Sequence, residues 1–127
     1  MPVPDFQTVM LPLMRLLDDG QIHRVSDLID VIADEFKLTE TERGELLPSG
    51  QRRLLNRVGW ARTYLGKAGL LETVGRGSIH ITDRGRALLH EHPSRIDIRL
   101  LNRYPEFAAF RERTTPTAAR DGAVPME

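Results

Sequence analysis

The sequence predicts a mostly α-helical fold carrying one small β-hairpin, and three observations predict it. Apolar residues recur at helical spacing through most of the chain, in segments separated by turn residues. Leu71-Glu72-Thr73-Val74, then Gly75-Arg76-Gly77, then Ser78-Ile79-His80-Ile81 reads as two short strands around a glycine turn. Between Leu46 and Leu71 there are Arg52, Arg53, Arg57, Arg62 and Lys67 but no Asp or Glu, so a basic helix runs straight into that hairpin.

Residues 5–18 form the first predicted helix, with Phe6, Val9, Met10, Leu13, Leu16 and Leu17 at helical spacing and Asp5 as cap. Pro12 lies inside this pattern and must either kink the helix or mark its true first turn. A second helix spans 25–36, with Val25, Leu28, Ile29, Ile32 and Phe36 on one face and Asp27, Asp30 and Asp34 on the other. Thr39 and Glu42 have the capping-box spacing, so a short third helix starts there. Pro48-Ser49-Gly50 is a turn.

The fourth helix covers 52–68. Leu54, Val58, Ala61 and Leu65 fall at i, i+4, i+7 and i+11, one stripe to bury, and Gly69 stops the helix. Strands at 71–74 and 79–82 follow. Thr82 caps a helix over 83–91, with Ala87, Leu88 and Leu89 inward. A last helical piece over 96–103 breaks before Pro105, leaving Phe107 and Phe110 in a final turn. Helices leading into a helix, a hairpin and a helix make a winged helix-turn-helix.

The 127 residues suit one domain, placed at 1–113, with 114–127 as a flexible tail or linker of low apolar content. No cysteine is present, which excludes disulfides and cysteine metal sites. No apolar run approaches the ~20 residues of a membrane helix, and the N-terminus lacks a signal-peptide layout, so a cytoplasmic protein without membrane contact is expected. The net charge of zero conceals polarity. Residues 1–45 hold 4 basic and 10 acidic side chains, whereas 46–86 hold 8 basic and 2 acidic. Such a dipole orients encounter with a polyanion unless the two segments neutralise each other in the fold.

The stripe opposite Leu54, Val58, Ala61 and Leu65 carries Arg52, Asn56, Trp60, Thr63 and Lys67, with Arg53 and Arg57 on one shoulder. Arg and Lys serve phosphates; Arg also reads guanine, and Asn adenine. Trp60 on a solvent face calls for a cover: a base, a thymine or modified-cytosine methyl group, a protein partner, or a packed segment of the same chain. Arg76, between two glycines, can reach a phosphate or the minor groove. The DNA-contact set is therefore Arg52, Arg53, Asn56, Arg57, Trp60, Thr63, Lys67 and Arg76. Arg84 and Arg86 at a helix start would be explained by an external anion.

Catalysis is not expected. Pro4-Asp5 with Glu35-Phe36-Lys37 matches a loose metal-nuclease pattern, but that chemistry needs strand-borne carboxylates, and here both lie at helix ends. His90 and His92 sit at a helix end, where they compensate the dipole rather than ligate a metal. No cofactor is expected.

The run Asn56-Arg57-Val58-Gly59-Trp60-Ala61-Arg62-Thr63-Tyr64-Leu65, continued by Lys67-Ala68-Gly69-Leu70-Leu71-Glu72, resembles the N-terminal domain of Mrr-type restriction endonucleases. Leu47-Pro48-Ser49-Gly50, Ile81-Thr82-Asp83-Arg84-Gly85 and Pro105-Glu106-Phe107 are similar too, over roughly residues 3–113. The resemblance implies a winged-helix module for double-stranded, typically methylated DNA, which in such enzymes precedes a separate nuclease domain; this chain is expected to be either such a recognition domain cut from a longer enzyme or a stand-alone binding protein. The rival expectation is a protein-interaction or dimerisation module anchored by Trp60. Oligomeric state, a homo-oligomer included, is left open.

Overall fold

The computed structural model describes residues 3–113; the expected tail at 114–127 lies outside the described residues. Asp5 caps helix α1 (Phe6–Leu16) by accepting from the Thr8 backbone N–H at 2.8 Å. The helix runs through Pro12, and Val9, Met10, Leu11, Leu13 and Met14 are buried along it. Strand β1 (His23–Arg24) follows, and then α2 (Val25–Glu35), which buries Leu28, Ile29, Ile32 and Ala33. Helix α3 (Glu40–Arg43) starts with the expected capping box: the Thr39 hydroxyl accepts from Glu42 N–H at 3.1 Å, and Thr39 N–H donates to the Glu42 carboxylate at 2.8 Å.

Helix α4 (Arg53–Lys67) crosses the centre, packed on α1, α2, the sheet and the C-terminal helix. It ends in a Schellman turn. Leu70 N–H reaches Leu65 O at 3.0 Å, Gly69 N–H reaches Gly66 O at 3.0 Å, and Gly69 takes φ +79°. Strands β2 (Leu71–Val74) and β3 (Ser78–Ile81) form the hairpin, with Gly75 and Gly77 both at positive φ at its tip. The sheet has order β1-β3-β2 and is antiparallel throughout, with Arg24 opposite Ser78 and Val74 opposite Ser78 on the other side. This is a mostly α winged helix-turn-helix with a third strand the sequence reading lacked. Two residues are too few to show alternation, and the strand exists because its partner, β3, is remote in sequence.

Helix α5 (Asp83–His90) is capped by Thr82 and buries Gly85 and Leu88. Ala87, expected inward, is exposed; Leu89 is half-buried. The expected 96–103 helix is the single turn α6 (Ile98–Leu101), capped by Asp97. A separate helix α7 (Pro105–Arg113) replaces the expected final turn. Pro105 opens α7 instead of merely ending α6, because the first helical position needs no N–H and favours proline's fixed φ.

Candidate nucleic-acid interface

The inner face of α4 is wider than one stripe. Leu54, Val58, Ala61 and Leu65 are fully packed as expected, but Trp60 and Tyr64 are also buried, each at 2% exposure. Tyr64 is the hub of an aromatic cluster, edge-on to Phe6 at 5.2 Å, Trp60 at 6.1 Å, Phe107 at 5.6 Å and Phe110 at 5.7 Å between ring centroids. Trp60 must therefore be struck from the DNA-contact set. Trp60 packs edge-on against Tyr64, which in turn meets Phe6 of α1 and Phe107 and Phe110 of α7. The same burial removes Trp60 as the anchor of a protein interface.

Arg53 and Arg57 occupy the N-terminal end of this second buried stripe (53, 57, 60 and 64), and both are half-buried. Arg53 Nε lies 3.5 Å from a Glu45 carboxylate oxygen, an ion-pair distance at which it makes no hydrogen bond. Burial, and then the neighbouring Arg53 charge, holds the Arg57 guanidinium below its ordinary pKa. A partly desolvated cation beside a like charge gains from an incoming anion.

The remaining side of α4 carries Arg52, Leu55, Asn56, Arg62, Thr63, Gly66 and Lys67, half-buried or exposed. Arg52 donates from Nε to Arg43 O at 3.1 Å, which fixes its stem at the helix start. The start is framed by the turn expected at 48–50. Leu46 bridges to Arg52, Leu47 N–H donates to Gln51 O at 2.8 Å, and Arg53 N–H donates to Glu45 O at 2.8 Å. Lys67 is exposed, its Nζ 5.3 Å from the Phe110 ring centroid, a cation–π contact that positions the ammonium without neutralising it.

Arg76 is exposed at the wing tip, and no atom would lie within 4 Å of a Cβ at either flanking glycine. Sequence reasoning missed Arg24. Pairing of β1 with β3 sets this exposed residue opposite Ser78, and Val25 N–H donates to Gly77 O at 2.9 Å, so Arg24 stands beside the wing turn. The usable signal was topological: a wing sheet needs a third strand, and His23-Arg24 immediately precedes α2.

Few close ion pairs join the acidic and basic segments among the described residues, although the Asp5 carboxylate also acts on the Arg57 charge. Among the described residues, Arg53 is the basic residue of 46–86 that forms an ion pair with an acid of 1–45. Arg84 turns elsewhere. It donates to Ala68 O at 2.8 Å and, through two nitrogens, to the Glu106 carboxylate at 2.9 and 3.2 Å, so it ties α4, α5 and α7 together and needs no external anion. Arg86 lies 3.9 Å from Asp83.

The Arg84 hydrogen bonds hold Glu106 below its ordinary pKa. A depressed carboxylate pKa stabilises the fold above the unfolded value and loses that contribution as pH falls through the folded value. Glu106→Gln is thus expected to be less stable than the parent at pH 7, and the gap should narrow at a pH below the ordinary glutamate range. Urea titrations at both pH values check this; a gap independent of pH would contradict it.

Asp5 is the α1 cap and Glu35 the last residue of α2. Among the described residues no group of His, Asp and Glu is arranged to hold a metal, and no helix is long and apolar enough to cross a membrane.

The topology and the basic helix define a winged helix-turn-helix domain with cations on α4 and on its wing. The sequence matches the Mrr N-terminal domain family over residues 6–91, and the chain belongs to that family. It is 32% identical over 96 residues to the type IV methyl-directed restriction enzyme EcoKMrr of Escherichia coli (strain K12). That alignment covers 73% of this chain and 31% of the relative, so the chain spans about a third of that enzyme's length. No solved structure matches. The folded unit extends past the matched family span, because Ile96, Leu101 and Phe107 are wholly buried in the same core.

Proposed function

We propose that this domain is the duplex-DNA recognition module of a modification-dependent restriction system, and that cleavage is not assigned to these residues. The observation that carries the reading is the unneutralised basic side of a helix whose other sides are locked into a core. Arg52, Asn56, Thr63 and Lys67, flanked by Arg53 and Arg57, face a major groove; Arg76 and Arg24 hold backbone from the wing. Burial on α1, α2 and α7 makes α4 rigid, so its outer side chains meet the groove without an ordering cost for the helix itself. Family membership supports the reading, since the relative is a methyl-directed restriction enzyme.

Replacing Lys67 or Arg76 with alanine is expected to weaken binding to every duplex sequence and to lower the slope of log affinity against log salt by about 1 each. Fluorescence anisotropy over a salt series measures both. Unchanged slopes in both variants would remove these residues from the interface, and salt-insensitive or absent retention by the parent would remove DNA as the partner. The same titration on methylated and unmethylated duplexes tests the modification preference.

A further inference from the structure

One exposed-side residue of α4 is held more tightly than the rest. The Asn56 carboxamide donates from Nδ2 to Gln51 Oε1 at 3.0 Å, and its Oδ1 accepts from Arg57 Nη1 at 3.0 Å. The orientation of this amide follows from chemistry. A guanidinium can only donate, so the group facing Arg57 must be the Asn56 oxygen. Nδ2 then faces Gln51, and Gln51 must present its own oxygen. Rotating the Asn56 amide by half a turn would set two donors against each other at one end and two acceptors at the other. The Gln51 backbone is itself held, since its main-chain carbonyl closes the 47–51 turn at 2.8 Å and its main-chain N–H points to the Ser49 hydroxyl at 3.4 Å.

We propose that Asn56 reads one adenine in the major groove, with Gln51 and Arg57 as positioning residues that fix its amide. The inference rests on the DNA-docking reading above. An asparagine amide has two N–H donors and two acceptor lone pairs. Gln51 takes one donor and Arg57 one acceptor, leaving one of each. Adenine presents one acceptor, N7, and one donor, N6, on its major-groove edge, whereas guanine presents two acceptors, cytosine a donor and thymine an acceptor. Of the four bases, adenine alone pairs with both remaining groups. Asn56 lies in the first turns of α4, the part of a recognition helix that meets base edges in helix-turn-helix proteins.

The test is selection by the full chain from a pool of random-sequence duplexes, followed by competition between duplexes differing at one base pair. The parent is expected to enrich a fixed adenine, with a preference of roughly tenfold over other bases at that position. Asn56→Ala should abolish the preference, the adenine-containing duplex falling to the affinity of the other three. Gln51→Ala should reduce the preference. Gln51→Glu, which keeps an acceptor facing Nδ2, should retain the preference while binding all duplexes more weakly, a split that a merely structural role would not give. Enrichment of no fixed adenine, or a preference that survives Asn56→Ala, overturns the inference and leaves the docking reading intact. A parent chain that binds no duplex at low salt overturns both. Alanine is a good helix former and residue 56 is half-buried, so the variant is expected to fold, and circular dichroism verifies that.

Discussion

Trp60→Ala is expected to cost about 3–5 kcal/mol, the range for deleting a large aromatic from a packed core. Trp60 is 2% exposed and sits edge-on to Tyr64. Removing it strips one side of the ring cluster that joins α1, α4 and α7. Domains of this size are stable by roughly 5–15 kcal/mol, so the loss is a large share of the total and should lower the melting temperature by on the order of 15 °C or more. The substitution pair with Trp60→Phe separates packing from recognition. Phenylalanine keeps a ring in the cluster, so Trp60→Phe should lose far less stability and leave DNA affinity within about twofold of the parent. A base-stacking tryptophan would show the opposite pattern: small stability losses in both variants and a large affinity loss in the alanine one. Thermal melts and anisotropy on the same preparations distinguish the two.

The second large effect is expected at Gly85→Ala. A Cβ at this position would collide with the Leu70 carbonyl oxygen, and would come within 2.7 Å of Ile81 Cγ1 and 2.8 Å of Met14 Cε. Two of these neighbours are side chains that can yield a little. The carbonyl cannot, because Leu70 O accepts from Thr82 N–H at 3.1 Å at the base of the wing. Helix α5 would have to lift off the hairpin, at a cost of about 3 kcal/mol or more. Gly66→Ala is the control. Its nearest neighbour, Leu71 Cδ1, is at an ordinary 3.7 Å and the site is exposed within α4, so alanine there should stabilise by about 0.5–1 kcal/mol. Denaturant midpoints for the two variants should move in opposite directions. Equal shifts would mean that the close packing of α5 on the hairpin is not what fixes Gly85.

Much of this architecture was legible because its signals are local. The Asp5 cap, the Thr39 capping box, the Gly69 stop and the glycine wing turn each depend on residues within a few positions of one another, and each is present. The basic stretch and the buried stripe of α4 were equally local. The missed features are those made by distant segments. Strand β1 has no signature of its own and exists through pairing with β3. Helix α7 was read as a last turn because Pro105 looks like a stop until something holds the next residues down, and Phe107 and Phe110 do so only by meeting Tyr64.

The candidate site divides along the same line. Sequence alone determined the family resemblance, the winged-helix order of elements, the polarised charge and the outward placement of Arg52, Asn56, Thr63 and Lys67 on one helix, since helical period fixes which residues share a side. Tertiary structure alone decided how much of that helix stays open. It buried Trp60, half-buried Arg53 and Arg57, set Arg24 beside the wing, turned Arg84 inward onto Glu106, and locked the Asn56 amide between Gln51 and Arg57. Period tells which residues face together; only the elements that pack against a face tell whether water, or DNA, can reach it.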